Sequence, residues 1–283
     1  MSVRIIADSA CDITASEQLP ITVLPLSIAF GDTILRDGVD ITHRRFYELL
    51  VEEDELPTTG QVNPYAFEQA IREAREAGDE VVVITLSAKL SGTHESAVTA
   101  AAQFGEGVYV VDSKNVTVGI RVLIEYALRL VAAGKGAAEI VAALERARED
   151  VCVVALLDTL EYLRRGGRVP AAAAVVGQLL AIKPVLAVED GEVKILGKAR
   201  GSKNGRNQLT QQIEQVGGID YSLPVALGYT GLTHELLDKY IDDSRAYWER
   251  VMTREELPVH YVGATIGTHV GPGAIAVAFF RKR

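Results

Sequence analysis

The chain has little cysteine and no excess of positive charge. Only two cysteines, Cys11 and Cys152, occur among 283 residues, and they form neither a CxxC motif nor a metal-ligand spacing. We interpret both as small buried apolar residues in a reducing compartment, because disulfides belong mainly to secreted proteins. The formal net charge of −9 argues against general nucleic-acid binding, since neutralising phosphates requires a basic surface.

Signals for secretion or for a membrane span are also missing. The first residues lead directly into a strand-like segment, without the apolar core of a signal peptide. The uncharged segment 169–182 is 14 residues long, shorter than the ~20 residues needed to cross a bilayer. We therefore expect a soluble cytoplasmic protein.

Length and composition predict a two-domain α/β protein. Apolar residues make up 48% and charged residues 24%, as in folded globular proteins. A chain of 283 residues exceeds the usual domain length of ~100–200 residues. Residues 1–150 alternate between strand-like and helix-like segments, which predicts a parallel sheet wrapped by helices. In residues 151–283 the predicted strands are more often adjacent, which predicts a mixed sheet with helices on one face. Small-molecule sites favour strand ends and domain interfaces, so we expect a ligand site between the domains.

The apolar patterns give approximate element positions. Expected strands cover 3–7, 21–29, 80–86, 107–111, 151–157, 185–188, 192–199, 224–229, 259–263 and 274–280. Expected helices cover 64–77, 91–104, 119–133, 137–150, 158–165, 209–216 and 234–248. Asp190-Gly191 predicts a hairpin turn between two of these strands.

Three polar, glycine-containing segments lie in predicted loops: 57–64, 86–94 and 266–273. Hydroxyl groups beside a helix N-terminus, with a histidine nearby, suit an anion. A carboxylate fits better than a polyphosphate, because the chain contains no GxxxxGK[ST] loop. Taken singly, Thr59 and Ser91 are more typical of plain helix caps, and His269 of a backbone hydrogen bond.

Other reactive arrangements find less support. Around Ser91, Lys89 and Thr93 occupy the glycine positions of a hydrolase nucleophile elbow, which argues against a nucleophilic serine. The segment Asp8-Ser9-Ala10-Cys11-Asp12 could offer carboxylates to a metal. We favour turn-building and helix capping, and expect no metal site, because no partner set with metal-ligand spacing occurs elsewhere.

Two further segments have an open interpretation. The alanine-rich segment 169–182 fits helix-on-sheet packing or space for an extended apolar ligand. Between 164 and 206, nine Lys and Arg residues stand against three acidic residues. This basic segment fits a solvated face or a docking site for a phosphate or an acidic partner.

Seven motifs, taken together, resemble the DegV family. They span nearly the whole chain in that family's order: Asp8-Ser9-x-x-Asp12, PTTGQ at 57–61, LSGT at 90–93, Val111-Asp112-Ser113, LEYLRRGGR at 160–168, Lys183-Pro184 and GTHVGPGA at 267–274. The resemblance implies a two-domain α/β protein that buries a long-chain fatty acid between its domains. Such a protein is the non-catalytic lipid-binding subunit of a bacterial fatty acid kinase system that uses ATP to make acyl-phosphate for phospholipid synthesis.

The resemblance also implies roles for individual residues. It assigns the fatty acid carboxylate to Thr59, Ser91 and His269. The neighbouring positions Gly60, Gly92, Thr93 and Thr268 are secondary candidates, and Arg168 and Arg200 are candidates for docking the kinase. The chain departs from the family where Gly60-Gln61-Val62 replaces the usual Ser-Gln-Pro after the loop threonine.

On this resemblance the expected partners are a fatty acid, as the bound ligand, and an ATP-dependent fatty acid kinase subunit. No cofactor is expected. Contact with a membrane surface would be transient, during lipid exchange. Two alternatives stay open. One is an enzyme similar to the dihydroxyacetone kinase substrate domain, in which His269 contacts a small carbonyl compound in a polar pocket. The other is a regulatory protein that senses lipid.

Overall fold

The computed structural model describes residues 2–53, 55–169, 182–249 and 251–283. The elements of the first part are β1 (Val3–Asp8), β2 (Ile21–Leu24), β3 (Ser27–Phe30), β4 (Thr33–Arg36), α1 (His43–Glu52), β5 (Thr58–Gly60), α2 (Pro64–Glu76), β6 (Glu80–Thr85), α3 (Thr93–Ala101), β7 (Val108–Asp112), α4 (Val118–Ala132) and α5 (Ala137–Ala147). Those of the second part are β8 (Val151–Leu156), α6 (Glu161–Arg165), β9 (Ile182–Glu189), β10 (Glu192–Arg200), α7 (Ser202–Gln215), β11 (Val225–Tyr229), α8 (Glu235–Asp243), α9 (Arg245–Trp248), β12 (Val259–Tyr261), α10 (Ala264–Val270) and β13 (Ile275–Phe280).

A parallel sheet forms the centre of the first part, in the order β2-β1-β6-β7. Five of the six residues of β6 are buried, as expected for a strand covered on both faces. Helices α2 and α3 pack against each other, as do α4 and α5, and all four contact the sheet. The predicted parallel sheet wrapped by helices is confirmed.

A smaller antiparallel sheet, in the order β4-β3-β5, was not predicted. The apolar run 21–29 was expected to be one strand, but it forms β2 and β3 in two different sheets. Pro25 lies between them, and proline has no N–H to donate to a sheet ladder, so the chain changes sheets there. The predicted loop 57–64 contributes β5, which pairs with β3.

The second part is built on a mixed sheet in the order β10-β9-β8-β13-β11-β12. Only the β11–β12 pair is parallel among its described pairings. Asp190 and Gly191 have φ of 48° and 80°, which closes the predicted hairpin between β9 and β10. The predicted mixed sheet is confirmed.

Both faces of this mixed sheet are covered. Helix α7 packs on one face with α8 beside it, and α4 from the first part packs on the other. All six residues of β13 are therefore buried, with Val277 in one apolar cluster and Ala276 in the other. Helix α10 also crosses between the parts, since it contacts α1, β3 and β5. The predicted domain boundary between residues 150 and 151 stays a prediction.

Candidate functional site

The three predicted carboxylate ligands come from three separate elements. Thr59 lies on β5, opposite Ile28 of β3. Ser91 lies in the loop between β6 and α3, and His269 lies in the last turn of α10. All three line one cavity of about 380 Å³ between the two parts of the molecule. This volume lies within the range of ~300–1,000 Å³ that is usual for small-molecule sites.

The segment 266–273 was expected to be a loop, and this expectation is wrong for its first half. Residues 264–270 form helix α10. Its N-terminus is capped from a distance, because Asp37 accepts the backbone N–H groups of Ala264 at 3.2 Å and Thr265 at 3.1 Å. Asp12 accepts the N–H of Gly263 at 2.8 Å. A cap from residues more than 200 positions away leaves no local signal in the sequence.

His269 is held between Thr59 and Gly166. Its Nε2 lies 2.9 Å from Thr59 Oγ1. A Cβ atom at position 166 would collide with His269 Nδ1, so glycine is needed there to accommodate the imidazole. Among the described residues Nδ1 has no hydrogen-bond partner. Burial, and next the charge of Arg168, lower the pKa of His269 to about 4, so the imidazole is neutral near pH 7.

Ser91 is oriented by the first turn of α3. Its Oγ lies 3.0 Å from Thr93 Oγ1 and accepts the backbone N–H of Thr93 at 3.3 Å. Helix α3 begins at Thr93, not at the predicted residue 91, and Gly92 is its N-cap. Ser91 is therefore not the N-cap residue, and Asn63 rather than Thr59 caps α2.

The secondary candidates have different surroundings. Gly60 and Gly92 line the cavity. Thr93 is fully buried and receives the Val62 N–H at 3.4 Å, which places it behind Ser91. Thr268 turns away from the predicted role, because its hydroxyl donates to the carbonyl of Ala264 within α10 at 2.9 Å.

The two arginines proposed for docking also differ. Arg168 lines the cavity, where its guanidinium donates to the carbonyl oxygens of Gly166 at 2.6 Å and Leu90 at 3.3 Å. It lies at the end of the cavity that holds Thr59, Ser91 and His269 rather than on a free surface. Arg200 is exposed at the end of the edge strand β10.

A second cavity, of about 60 Å³, extends the first between the mixed sheet and α10. The two cavities share five aliphatic lining residues: Val116, Leu163, Val193, Ile266 and Val270. The inner lining is aliphatic apart from Thr117 and Thr230, whose hydroxyls bond to Asp12 and to the backbone of Ala274. The site thus has a polar end and an apolar end.

Several residues of the site were missed by sequence reasoning. Asp37 was missed because it directly follows β4, far in sequence from the helix that it caps. Gln61 lines the cavity beside Gly92 and donates to Ser96 Oγ at 2.9 Å. The hypothesis that 169–182 provides space for a ligand falls on residues 170–181, outside the described residues.

The described residues contain neither a metal-binding cluster nor a membrane-spanning helix. No group of three or more His, Cys, Asp or Glu side chains there is arranged to hold a metal ion. No helix there is both long enough and apolar enough to pass through a bilayer.

Comparison with known proteins places this geometry in a family. A sequence profile described as "Uncharacterised protein, DegV family" matches residues 2–282. The chain belongs to the DegV family. A DegV domain-containing protein of Deinococcus radiodurans is 34% identical to it over 288 residues, with 98% of each chain covered.

Solved DegV structures share the fold. A DegV family protein from Thermus thermophilus, described by its fatty acid binding, has a TM-score of 0.88 at 32% identity and covers 99% of this chain and 100% of its own. A stearic acid-binding protein from Eubacterium ventriosum has a TM-score of 0.87 at 26% identity, with 100% and 99% covered. These matches confirm the two-domain α/β fold that the DegV motifs predicted.

The burial of His269 gives a testable titration. In the protein without ligand we expect the imidazole to titrate with a pKa of about 4. Histidine NMR signals recorded between pH 3 and 8 measure this pKa, and the His269→Gln variant assigns the signal. As the pH falls, the histidine is protonated in the unfolded chain first, near pH 6.5, and in the folded protein only near pH 4. The contribution of the neutral imidazole to stability is therefore complete above pH 6.5. It is lost as the pH falls toward 4. A measured pKa of 6.5 or higher would contradict the buried, neutral imidazole.

Proposed function

We propose that this DegV protein binds one long-chain fatty acid and presents its carboxylate to an ATP-dependent fatty acid kinase subunit. The single observation that carries the proposal is the pair of adjoining cavities, with Thr59, Ser91 and His269 at one end and aliphatic residues at the other. The protein itself would have no catalytic role. Its ATP-dependent partner would place the function in the cytoplasm.

The apolar end would supply most of the affinity. Burying a methylene contributes ~0.8 kcal/mol, so an acyl chain with about 14 methylenes contributes roughly 11 kcal/mol. Association and ordering of the chain cost on the order of 4–15 kcal/mol. The tail therefore offsets the cost of binding, and the head-group contacts decide orientation and register.

The polar end suits a carboxylate. The hydroxyls of Thr59 and Ser91 can donate hydrogen bonds, and a neutral imidazole can donate one from Nε2. The N-terminus of α3 follows directly after Ser91 and carries a positive partial charge. Arg168 adds a full positive charge at the same end. Hydrogen bonds to a charged group are worth ~1.5–3 kcal/mol each, which is enough to fix the head group.

The inner cavity has a floor of small residues. Ala276 on β13 lies opposite Ala155 on β8 and Gly228 on β11. Directly paired residues project from the same face of a sheet, so these three form a shallow trough across it. A Cβ atom at Gly228 would lie 3.2 Å from Val118 at the start of α4, so α4 closes this end of the trough. We propose that the trough receives the end of the acyl chain.

An enzyme acting on a small carbonyl compound is supported less well. Such a substrate calls for a compact polar pocket, whereas aliphatic residues continue inward from His269. A nucleophile activated by His269 would also need an acidic or carbonyl group to orient Nδ1. No such partner of Nδ1 is present in the described ranges. A lipid-sensing regulator would use the same cavity and differ only in its partner.

For the kinase we propose the basic edge of the second part. Lys194, Lys198 and Arg200 are exposed along the edge strand β10, and Lys203 is exposed at the start of α7. A row of basic side chains on an open edge fits an acidic partner surface. Because Arg168 lines the lipid cavity, its substitution would disturb lipid binding as well as docking.

The head-group assignment predicts the effect of removing donors. We expect Ser91→Ala and His269→Ala each to weaken fatty acid binding about tenfold or more, because each removes a hydrogen bond to a charge. Calorimetry with hexadecanoic acid measures the affinity, and the rate of acyl-phosphate formation with the kinase measures presentation. Thr99→Ala, at an exposed position of α3, is the control. If the variant that combines Ser91→Ala with His269→Ala supports acyl-phosphate formation at the wild-type rate, the assignment is refuted.

The trough predicts acyl-length selectivity. We expect Ala276→Leu to lower the affinity for hexadecanoic acid by about tenfold while affecting dodecanoic acid less, because the added carbons occupy space that the end of the long chain needs. Competition between the two acids, followed by mass spectrometry of the bound lipid, gives the ratio. Ala102→Leu, at an exposed position, is the control. An unchanged ratio in a folded Ala276→Leu protein would place the tail elsewhere.

The docking surface predicts a separable defect. We expect Arg200→Glu to lower the rate constant for association with the kinase, with a smaller difference at high salt, because an exposed charge acts mainly on association. Lipid occupancy, measured by native mass spectrometry, should stay at the wild-type level. Lys239→Glu on α8 is the matched charge reversal. Equal association of the two variants at low salt would exclude Arg200 from the docking surface.

A further inference from the structure

The segment from Asp8 to Asp12 has no part in the proposed lipid contacts, although it is nearly buried. It follows β1 as a single 3-10 turn. Asp8, Ser9 and Asp12 have exposed fractions of 0%, 9% and 6%. Asp37, also 6% exposed, accepts a hydrogen bond from Ser9 Oγ at 3.1 Å. We call these four residues the anchor cluster.

The anchor cluster contacts the start of the loop that carries Ser91. Asp8 Oδ2 accepts the backbone N–H of Leu86 at 2.7 Å, directly after β6. Asp8 Oδ1 accepts the N–H of Ala10 at 3.0 Å, which fixes the carboxylate within its own turn. The chain from Leu86 to Ser91 therefore begins at a fixed point.

The same cluster contacts the strand that positions Thr59. Ser9 Oγ accepts the N–H of Leu26 at 3.0 Å, one residue before β3 begins. β3 then pairs with β5, so that Ile28 lies opposite Thr59. The hydroxyl of Ser9 thus acts as acceptor for this strand and as donor to Asp37.

The third contact is to the helix that carries His269. Asp12 accepts the N–H of Gly263, and Asp37 accepts the N–H groups of Ala264 and Thr265 and the hydroxyl of Thr265. These are the first residues of α10, and His269 is one turn further along. A short helix held at its first turn has little freedom at its last.

We propose that Asp8, Ser9, Asp12 and Asp37 are positioning residues that set the relative placement of the three carboxylate donors. This inference rests on the proposed function, because it assigns no lipid contact to the cluster. Hydrogen bonds weaken steeply outside narrow limits of distance and angle, so three donors from three elements need a common reference. The anchor cluster is hydrogen-bonded to the start of the Ser91 loop, to the start of α10, and to the residue before β3, which pairs with the strand of Thr59.

The composition of the cluster supports a role beyond folding. Its three carboxylates are buried close enough to interact, and burial raises the pKa of both Asp8 and Asp12 to about 7. Burial also raises the pKa of Asp37. Burying several acids together opposes stability, and neutral serine or asparagine caps would serve folding alone. Only a carboxylate can accept several N–H groups in a fixed fork, as Asp37 does.

The test separates head-group recognition from tail binding. Affinity for hexadecanoic acid is compared with affinity for its methyl ester, which keeps the chain and lacks the charge. We expect Asp12→Asn and Asp37→Asn to lower the acid-to-ester affinity ratio about tenfold, since the donors no longer converge. The affinity for the ester should change less than twofold. An unchanged ratio in both folded variants would overturn the inference.

Asp79→Asn is the matched control. Asp79 is also nearly buried, at 7% exposed, and bonds to Ser2 and Arg4. It precedes β6, whereas Asp8 ends β1, so the two residues lie at opposite ends of the parallel strands. We expect this variant to lower the melting temperature and to leave the acid-to-ester ratio unchanged. If Asp79→Asn lowered the acid-to-ester affinity ratio as much as Asp37→Asn does, general destabilisation would explain the effect and the positioning role would be refuted.

A double-mutant cycle locates the effect. If Asp37 acts through His269, Asp37→Asn should lower the acid-to-ester ratio no further in a His269→Ala background. An additive loss would overturn the positioning role. If Asp37→Asn does not fold, Asp12→Asn, which loses the hydrogen bond to Gly263 at the start of α10, carries the same comparison. The proposed function fails separately, if the wild-type protein binds hexadecanoic acid no better than its methyl ester.

Discussion

The carboxylate that we propose at the end of an apolar cavity sets the demands on this structure. A carboxylate buried without hydrogen bonds is costly, so the donors must be close together before the ligand arrives. Here the donors come from a strand, a loop and a helix that lie far apart in sequence. We propose that their convergence depends on hydrogen bonds between the first and last parts of the chain, above all those that Asp12 and Asp37 accept from the start of α10.

The apolar end of the site follows from how the two parts pack. Helix α4 belongs to the first part, yet it covers one face of the mixed sheet of the second. Where the sheet carries Gly228, Ala276 and Ala155, a helix and a sheet in contact leave space between them. Binding space thus arises from small residues at a packing interface. Aliphatic neighbours keep it suited to a hydrocarbon chain.

Sequence reasoning was strongest where the signal was local. β6, α2 and the Asp190-Gly191 hairpin were found within a few residues, because burial on both faces, an N-terminal proline and a turn dipeptide leave clear patterns. It failed at β5 and at α10. Thr58–Gly60 is too short for a periodic pattern, and the seven residues of α10 include one glycine and four β-branched residues, which disfavour helices.

The sequence by itself determined the fold class, the family and the three residues that line the polar end of the cavity, because motifs and hydrophobic periodicity are written along the chain. Only the tertiary structure decided which helix holds His269, that Arg168 belongs to the cavity, and that Asp8 and Asp12 bond to Leu86 and Gly263 beside the site. Each of these depends on contacts between residues that are distant in sequence. Such contacts form only when the two parts pack together, so no local pattern encodes them.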